Sequence, residues 1–342
     1  MKKAIGVFAT DLHLTKDNGE LVKDIIGQLI NVCHQYGVKH IFDGGDNFTN
    51  RSGQPLSTLT DFQDIIDMVE EDGLTMHIIP GNHDKTDPNS RKSYLDLYRR
   101  SGTKVYDRAD GILVGGVCVY FVPYFGEEKW LEEFETLNID VEETNFLITH
   151  IGFDGVRNND GSLVESSIKP SMFKMFDKVL IGHYHDASKL SENVIYTGSA
   201  YQNNFGENIT DKGFTVLYSD GSIKFVPSKF PKYIKEVIEV KDKESTRNLM
   251  EKYDGENYDH VRFLFKGSKV DFANINTSEI HKLGIDIKFE STEETEAIEM
   301  SESESVLLYD KQSVLKDFIS FSKQQGIMGK QLVYGMKLIK TL

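Results

Sequence analysis

Apolar residues in the first third of the chain fall into two alternating rhythms. Short runs at Ala4 to Ala9, Val38 to Phe42 and Leu74 to Ile79 have the length and composition of buried strands. Between them, Val22, Ile25, Ile26, Leu29, Ile30 and Cys33 recur at the i, i+3, i+4 spacing of a helix with one buried stripe, which Gly37 ends. Leu56, Leu59, Phe62, Ile65, Ile66 and Val69 repeat that spacing. The order β-α-β-α-β predicts an α/β fold with a parallel sheet. Open sheets of that kind place their sites beyond the C-terminal ends of the strands.

The pattern continues less regularly. Val114 to Val122 is a long β-branched run with Gly115-Gly116 inside it, and Trp130, Leu131 and Phe134 predict a short helix. Asn145 to Thr149, Lys178 to Ile181, Val194 to Thr197 and Gly213 to Tyr218 read as strands, and Asp220-Gly221 turns the last into Ser222 to Val226. Pro227 and Pro231 bracket a boundary, which makes residues 1–228 the first domain. Beyond it, strands at Tyr233 to Val240 and His260 to Lys266, a helix at Glu244 to Lys252, and a helix and strand within Ile275 to Ile287 predict a small unit over 229–289. Glu290 to Glu304 has seven Glu and no basic residue, so 290–304 reads as a flexible acidic linker. Val306, Leu307, Val314, Leu315, Phe318, Ile319 and Phe321 then approach helical spacing, and 305–342 reads as a helical partner-docking segment.

With 342 residues, 39% apolar and 27% charged, the chain has the composition of a soluble globular protein of about two domains. No apolar run approaches the roughly 18 residues of a membrane span, and no leader is evident, so a cytoplasmic protein without a membrane association is expected. Cys33 and Cys118 sit in apolar patterns and read as buried free thiols of a reducing compartment. A net charge of −15 argues against autonomous, charge-driven binding of nucleic acid. The exception is 85–108, with seven Lys or Arg against three acids. It reads either as a solvated helix face with Tyr94, Leu97 and Tyr98 inward, or as a phosphate-backbone contact in which Lys85, Arg91 and Lys92 are the candidates.

The chemistry gathers just past the strands. Asp11-Leu12-His13 follows the first, Asp43-Gly44-Gly45-Asp46 the second, and Pro80-Gly81-Asn82-His83-Asp84 the third. His150 ends a later strand, and Gly182-His183-Tyr184-His185 ends another. Each piece has a plainer reading: Asp11 as a helix cap, Asp46 in an Asp-Gly turn, the His pair on the surface. Together, Asp11, His13, Asp46, Asn82, His150, His183 and His185 supply two carboxylates, one amide and four imidazoles. Mixed oxygen and nitrogen donors without thiolate suit manganese, iron or zinc and disfavour calcium. Seven ligands exceed what one substrate-binding ion needs and suit two ions that share a carboxylate, with Asp46 the natural bridge. Such a pair clamps an in-line displacement at phosphorus. His83 is left to stabilise the transition state or protonate the leaving oxygen, with Asp84 orienting its ring.

These five clusters, in this order, resemble the motifs of the calcineurin-like metallophosphoesterases. Gly198-Ser199, Phe205-Gly206-Glu207 and Lys212-Gly213-Phe214 are further similar to SbcD-type nuclease subunits of double-strand-break repair, including those of phages. The resemblance implies a four-layer α/β/β/α sandwich with a small α+β capping domain and a C-terminal helical tail. It assigns Asp11, His13, Asp46 and His185 to one ion and Asp46, Asn82, His150 and His183 to the other, with His83 catalytic. It implies two divalent cations, manganese first and iron, magnesium or zinc as alternatives. It also implies a DNA substrate, exonuclease and endonuclease action in recombination and repair, a homodimer, and an SbcC-type SMC-like ATPase partner. Many cellular relatives carry a His three residues after the bridging Asp, linked to exonuclease action; here that position is Thr49. Two other functions compete: a phosphomonoesterase or cyclic-nucleotide phosphodiesterase that keeps the site, and a non-catalytic dimeric scaffold that presents its terminal helix to the ATPase.

Overall fold

The computed structural model describes residues 2–156, 163–240, 252–253, 260–268, 272, 275 and 277–291. The first sheet begins with parallel strands β1 (Ala4–Ala9), β2 (His40–Asp43), β3 (Thr75–Ile78) and β4 (Thr103–Val105). Helix α1 (Gly19–Tyr36) joins the first two, and α2 (Leu56–Glu71) the next. Gly37 closes α1 in the left-handed conformation at φ 62°, and its N–H reaches the carbonyls of Cys33 and His34. Ala9 pairs with Asp43, and Asp43 with Ile78, so these three strands end level with one another.

The second sheet takes β5 (Asp110–Val114), β6 (Val117–Val122), β7 (Asn145–His150), β8 (Lys178–Gly182), β9 (Ser188–Lys189) and β10 (Val194–Tyr196), in the order β5-β6-β7-β8-β10-β9. Helix α3 (Glu127–Glu135) lies between β6 and β7 in sequence. The chain then returns to the first sheet through β11 (Gly213–Tyr218), antiparallel to β1, and β12 (Ile223–Pro227). That sheet therefore runs β12-β11-β1-β2-β3-β4.

Burial sorts these elements into four layers. Ile25, Ile26, Leu29, Phe62, Ile65 and Ile66 of the helices pack with Val7, Ile41 and Ile78 on one face of the first sheet. Phe8, Phe42, Phe121, Phe146, Ile148 and Leu217 fill the seam between the sheets. On the far face of the second sheet, Trp130 of α3 packs with Phe125, Leu147, Phe173 and Val179. Each large side chain fully buried in the seam contributes about 1.5–3 kcal/mol. The result is the expected α/β/β/α sandwich.

Three local expectations need correction. The run Val114 to Val122 is two strands: Gly115 and Gly116, at φ 61° and 83°, turn β5 back on β6 as a tight hairpin. Leu97, expected inward, is exposed, because Tyr94–Tyr98 winds as a 3₁₀ turn that buries Leu95 and Tyr98 instead. Cys33 is buried, but Cys118 is only half-buried; both are free thiols.

Strands β13 (Tyr233–Glu239), β14 (His260–Gly267) and β15 (Asp286–Ser291) form a third sheet in that order, with α4 (Thr277–Lys282) before the last. Contacts group residues 1–237, 247–264 and 277–288 into one unit, and Ile238, Phe265 and Phe289 fall in a second. In the first unit Arg262 pairs with Asp286; in the second, Lys266 pairs with Glu290 at 2.9 Å. β15 carries the chain through Glu290 and Ser291, so the first two residues of the expected linker are strand. The expected helix at Glu244 to Lys252, apart from Lys252 itself, and residues 292–342 with the rest of the linker and the terminal segment, lie outside the described residues. Among the described residues, no helix is long and apolar enough to cross a membrane.

Candidate active site

The three level strand ends of the first sheet continue as a zipped pair of loops. The N–H groups of Asp11, His13 and Leu14 donate to the carbonyls of Gly45, Asp46 and Asn47 at 2.9, 3.0 and 2.7 Å. The loop after β3 then presses on the loop after β2: a β-carbon on Gly81 would collide with the Asp46 backbone nitrogen and carboxylate. Only glycine permits that approach. Among the described residues, five non-glycine residues have positive φ, and four are site residues: Asp11 (58°), His13 (45°), Asp46 (55°) and His183 (94°). Such backbone costs about 1–3 kcal/mol per residue and persists where surrounding structure over-determines it.

The expected ligands converge in two groups. Asp11, His13 and His185 bring one ligand atom each to within 4.8 Å of one another, and so do Asp46, His150 and His183. Asp46 faces both groups. Its Oδ1 accepts the His83 N–H at 2.8 Å, while Oδ2 lies 3.3 Å from His150 Nε2 and 3.8 Å from His13 Nε2. Asn82 Oδ1 stands 3.0 Å from His150 Nε2 and 2.8 Å from His183 Nδ1. Asp11 accepts the Thr10 hydroxyl at 2.8 Å and the His183 N–H at 3.2 Å.

Partners outside the groups fix the rings. His150 Nδ1 donates to the Gly44 carbonyl at 2.8 Å, and His185 Nδ1 donates to Glu207 Oε1 at 2.7 Å. Both rings thus aim Nε2 inward, the arrangement by which a second partner sets the tautomer of a metal-ligating histidine. Burial pushes His13 and His183 down to about 3, which leaves them neutral. Burial alone would raise Asp46, but His150 and His13 hold its carboxyl well below the usual carboxylate range. Burial also works against charge on His150, yet the facing Asp46 and Asp11 carboxylates hold it up at about 9.

This donor chemistry fits cations. His185 Nε2 and His13 Nε2 lie 2.9 Å apart, each within 3.8 Å of Asp11 Oδ1, so three ligand-type atoms converge on one point. Nitrogen and oxygen donors converging without thiolate suit a first-row divalent ion.

His83 lines the same cleft, its ring edge-on to His13 at 5.0 Å. Its Nδ1 donates to the Thr49 carbonyl, and its Nε2 accepts from the Arg51 guanidinium at 3.3 Å. Asp84 does not orient this ring, contrary to expectation. It is fully buried and accepts four backbone N–H groups, of Gly81, Asp46, Asn47 and Phe48. Its role is to tie the two loops together. Lys85 is also corrected. It is 2% exposed, with Nζ on the Tyr124 carbonyl and over the Phe125 ring at 3.8 Å, so it is closed to DNA. Arg91 is paired to Glu133 at 2.6 Å and Lys92 is exposed; neither lines the cleft.

Two further residues escaped the sequence reading of roles. Arg51 had no signal beyond its place two residues after Thr49. Glu207 stood within a motif, but its contact with His185 spans 22 residues.

The calcineurin-like phosphoesterase family profile matches residues 7–187. Exonuclease subunit 1 of Enterobacteria phage T4 is 26% identical over 229 residues, 64% of this chain and 66% of that protein. An SbcCD nuclease subunit of Staphylococcus saprophyticus is 26% identical over 223 residues, 56% of this chain and 58% of that protein. The match thus spans less than two thirds of the length of either relative. Putative phosphoesterase 078R of Invertebrate iridescent virus 3 is 20% identical over 285 residues, 81% of this chain and 80% of that protein. Profile, layers and loop-borne donors agree: the chain belongs to the calcineurin-like phosphoesterase family.

Proposed function

We propose that this chain is a two-cation-dependent DNA nuclease, the catalytic subunit of an SbcCD-type complex in recombination and double-strand-break repair. The observation that carries the reading is Asp46, whose Oδ2 faces a donor group on either side while the His83 N–H holds Oδ1. In this reading Asp11, His13, Asp46 and His185 hold one ion, and Asp46, Asn82, His150 and His183 the other. Manganese is the leading candidate. When bound, such a pair polarises phosphoryl oxygens and lowers the pKa of water.

The protein's own groups then position and shield the reacting phosphodiester. Arg51 presents a guanidinium beside His83, where it can contact a phosphoryl oxygen. The Thr49 carbonyl keeps the His83 proton on Nδ1, so Nε2 is the basic atom that could take a proton from the attacking water and pass it to the leaving oxygen. Relatives named as an exonuclease subunit and a nuclease subunit support DNA as the substrate. An SMC-like ATPase partner engaged through 305–342, and a homodimer, complete the reading.

The test is cleavage of end-labelled duplex and hairpin DNA with manganese, with and without the ATPase and ATP, beside ion stoichiometry by elemental analysis. The expected result is metal-dependent cleavage lost in His83→Gln, and two ions per chain falling to one or fewer in Asp46→Asn. Intact DNA in every condition, beside rapid turnover of a nitrophenyl phosphate monoester, would overturn it in favour of a phosphomonoesterase.

A further inference from the structure

The cleft that carries the candidate ligands has a second wall, which the chemistry above does not use. Its volume is about 840 Å³, and Tyr233 and His260 line it together with His13, Asp46, His183 and His185. The Tyr233 and His260 rings stack at 4.3 Å, 21° from parallel. Phe205 meets Tyr233 edge-on at 5.0 Å and 85°. Tyr233 is half-buried and His260 is exposed. His260 lacks any motif in the sequence, and a packing role would bury it. Instead it ends an aromatic stack within the cleft.

The stack is built rather than incidental. His260 opens β14 with its N–H on the Lys232 carbonyl at 2.7 Å, which seats its ring against Tyr233. The side-chain amide of Gln202, itself 1% exposed, accepts the Tyr233 N–H at 2.8 Å and donates to the Tyr233 carbonyl at 3.1 Å. The same amide donates to the Glu207 carbonyl, and the Glu207 side chain holds His185. One short loop therefore positions both a candidate metal ligand and the aromatic wall.

A phosphodiester at the metal ligands carries a nucleoside on either side, and a flat π surface nearby suits a base. Bases stack on aromatic side chains with little regard to sequence, because every base offers a π face. A base inside a duplex already has both faces covered, whereas an unpaired base has both open, so the wall favours an unpaired one. We infer that Tyr233 and His260 form a nucleobase-stacking subsite for an unpaired nucleotide next to the phosphate being cleaved. The inference rests on the phosphodiesterase reading and narrows its substrate to single-stranded or frayed ends.

The test uses single-stranded oligonucleotides that carry either a normal nucleotide or an abasic tetrahydrofuran residue beside the cleaved phosphate. With wild-type protein and manganese, removal of the base is expected to raise KM about tenfold and to leave kcat within about twofold. Tyr233→Ala and the exposed His260→Ala should raise KM about tenfold on the normal oligonucleotide and respond little to base removal. Tyr233→Phe should restore the wild-type pattern, and thermal melts establish that each variant is folded. Wild-type protein that cleaves both oligonucleotides alike, or folded alanine variants that keep the full response to base removal, overturn the inference alone. Wild-type protein that cleaves neither overturns it together with the nuclease reading.

Discussion

Glu207 Oε1 lies 2.7 Å from His185 Nδ1, and Lys212 grips the other oxygen of the same carboxylate at 3.0 Å. Lys212 is buried and also donates to the His185 carbonyl and the Ser199 hydroxyl. The His185 ring is thus held by a carboxylate that does not itself line the cleft. Glu207→Gln is expected to weaken divalent-ion binding about 10–100-fold, the usual loss when an outer partner of a ligating histidine is removed. Calorimetric titration of the purified variant measures this, and unchanged affinity would count against His185 as a ligand.

Asp84 and His83 are neighbours with separable jobs. Asp84→Ala strands four backbone N–H groups between two loops, at a cost on the order of 4 kcal/mol or more. In a chain of this size that lowers Tm by about 10 °C. His83→Ala, which removes a cleft-lining ring, should leave Tm within about 2 °C and abolish cleavage. Equal melting of the two variants would mean that the carboxylate does not tie the loops.

Arg51 lines the cleft beside His83, and the proposed mechanism brings a phosphoryl oxygen to that pair. Arg51→Ala is expected to lower kcat/KM on DNA about 100-fold, the scale of losing a donor aimed at developing negative charge. Arg51→Lys should recover only part, because an ammonium lacks the planar fork. Steady-state kinetics on a defined oligonucleotide decide the matter; an alanine variant with wild-type kcat/KM removes Arg51 from the mechanism.

Acid stability has a marker in β3, five residues before Asn82. His77 is buried in β3, bonded to His40 at 3.0 Å and to the Tyr106 hydroxyl at 2.9 Å, and stacked on Phe121. Burial lowers its pKa from 6.5 to about 3. Between those values the unfolded chain takes up a proton that the folded protein refuses. Stability is therefore lost as pH falls from 6.5 toward 3, by about 1.4 kcal/mol per pH unit. His77→Phe keeps a ring in the stack and removes the titration. Urea melts at pH 6.5 and 5 should show the wild type losing about 2 kcal/mol more than the variant. A parallel pair of pH dependences would assign the sensitivity elsewhere.

Most of the sandwich was legible because its elements are local. The stripe from Val22 to Cys33 and the run Leu74 to Ile79 each declare their structure within a few turns. The candidate ligands stood out for a related reason: polar residues concentrated just past buried strands have few structural uses. What escaped depended on contacts between distant residues. Lys85 looks like surface charge until Phe125 and the Tyr124 carbonyl close over it. Asp84 looks like the partner of its neighbour until the backbone turns it beneath the Asp46 loop. Tyr233 and His260 are 27 positions apart, and nothing in either strand announces that their rings meet.

Each candidate ion draws on both sheets: Asp11 and His13 follow β1 while His185 follows β8, and Asp46 follows β2 while His150 ends β7. β1 is moreover flanked by β11, some two hundred residues later in the chain. The first hundred residues therefore carry part of each candidate ion pocket and the whole of neither. On the proposed reading, metal capture waits until the second sheet has been synthesised and has closed on the first, so a nascent chain short of His185 has no complete site with which to cleave a phosphodiester.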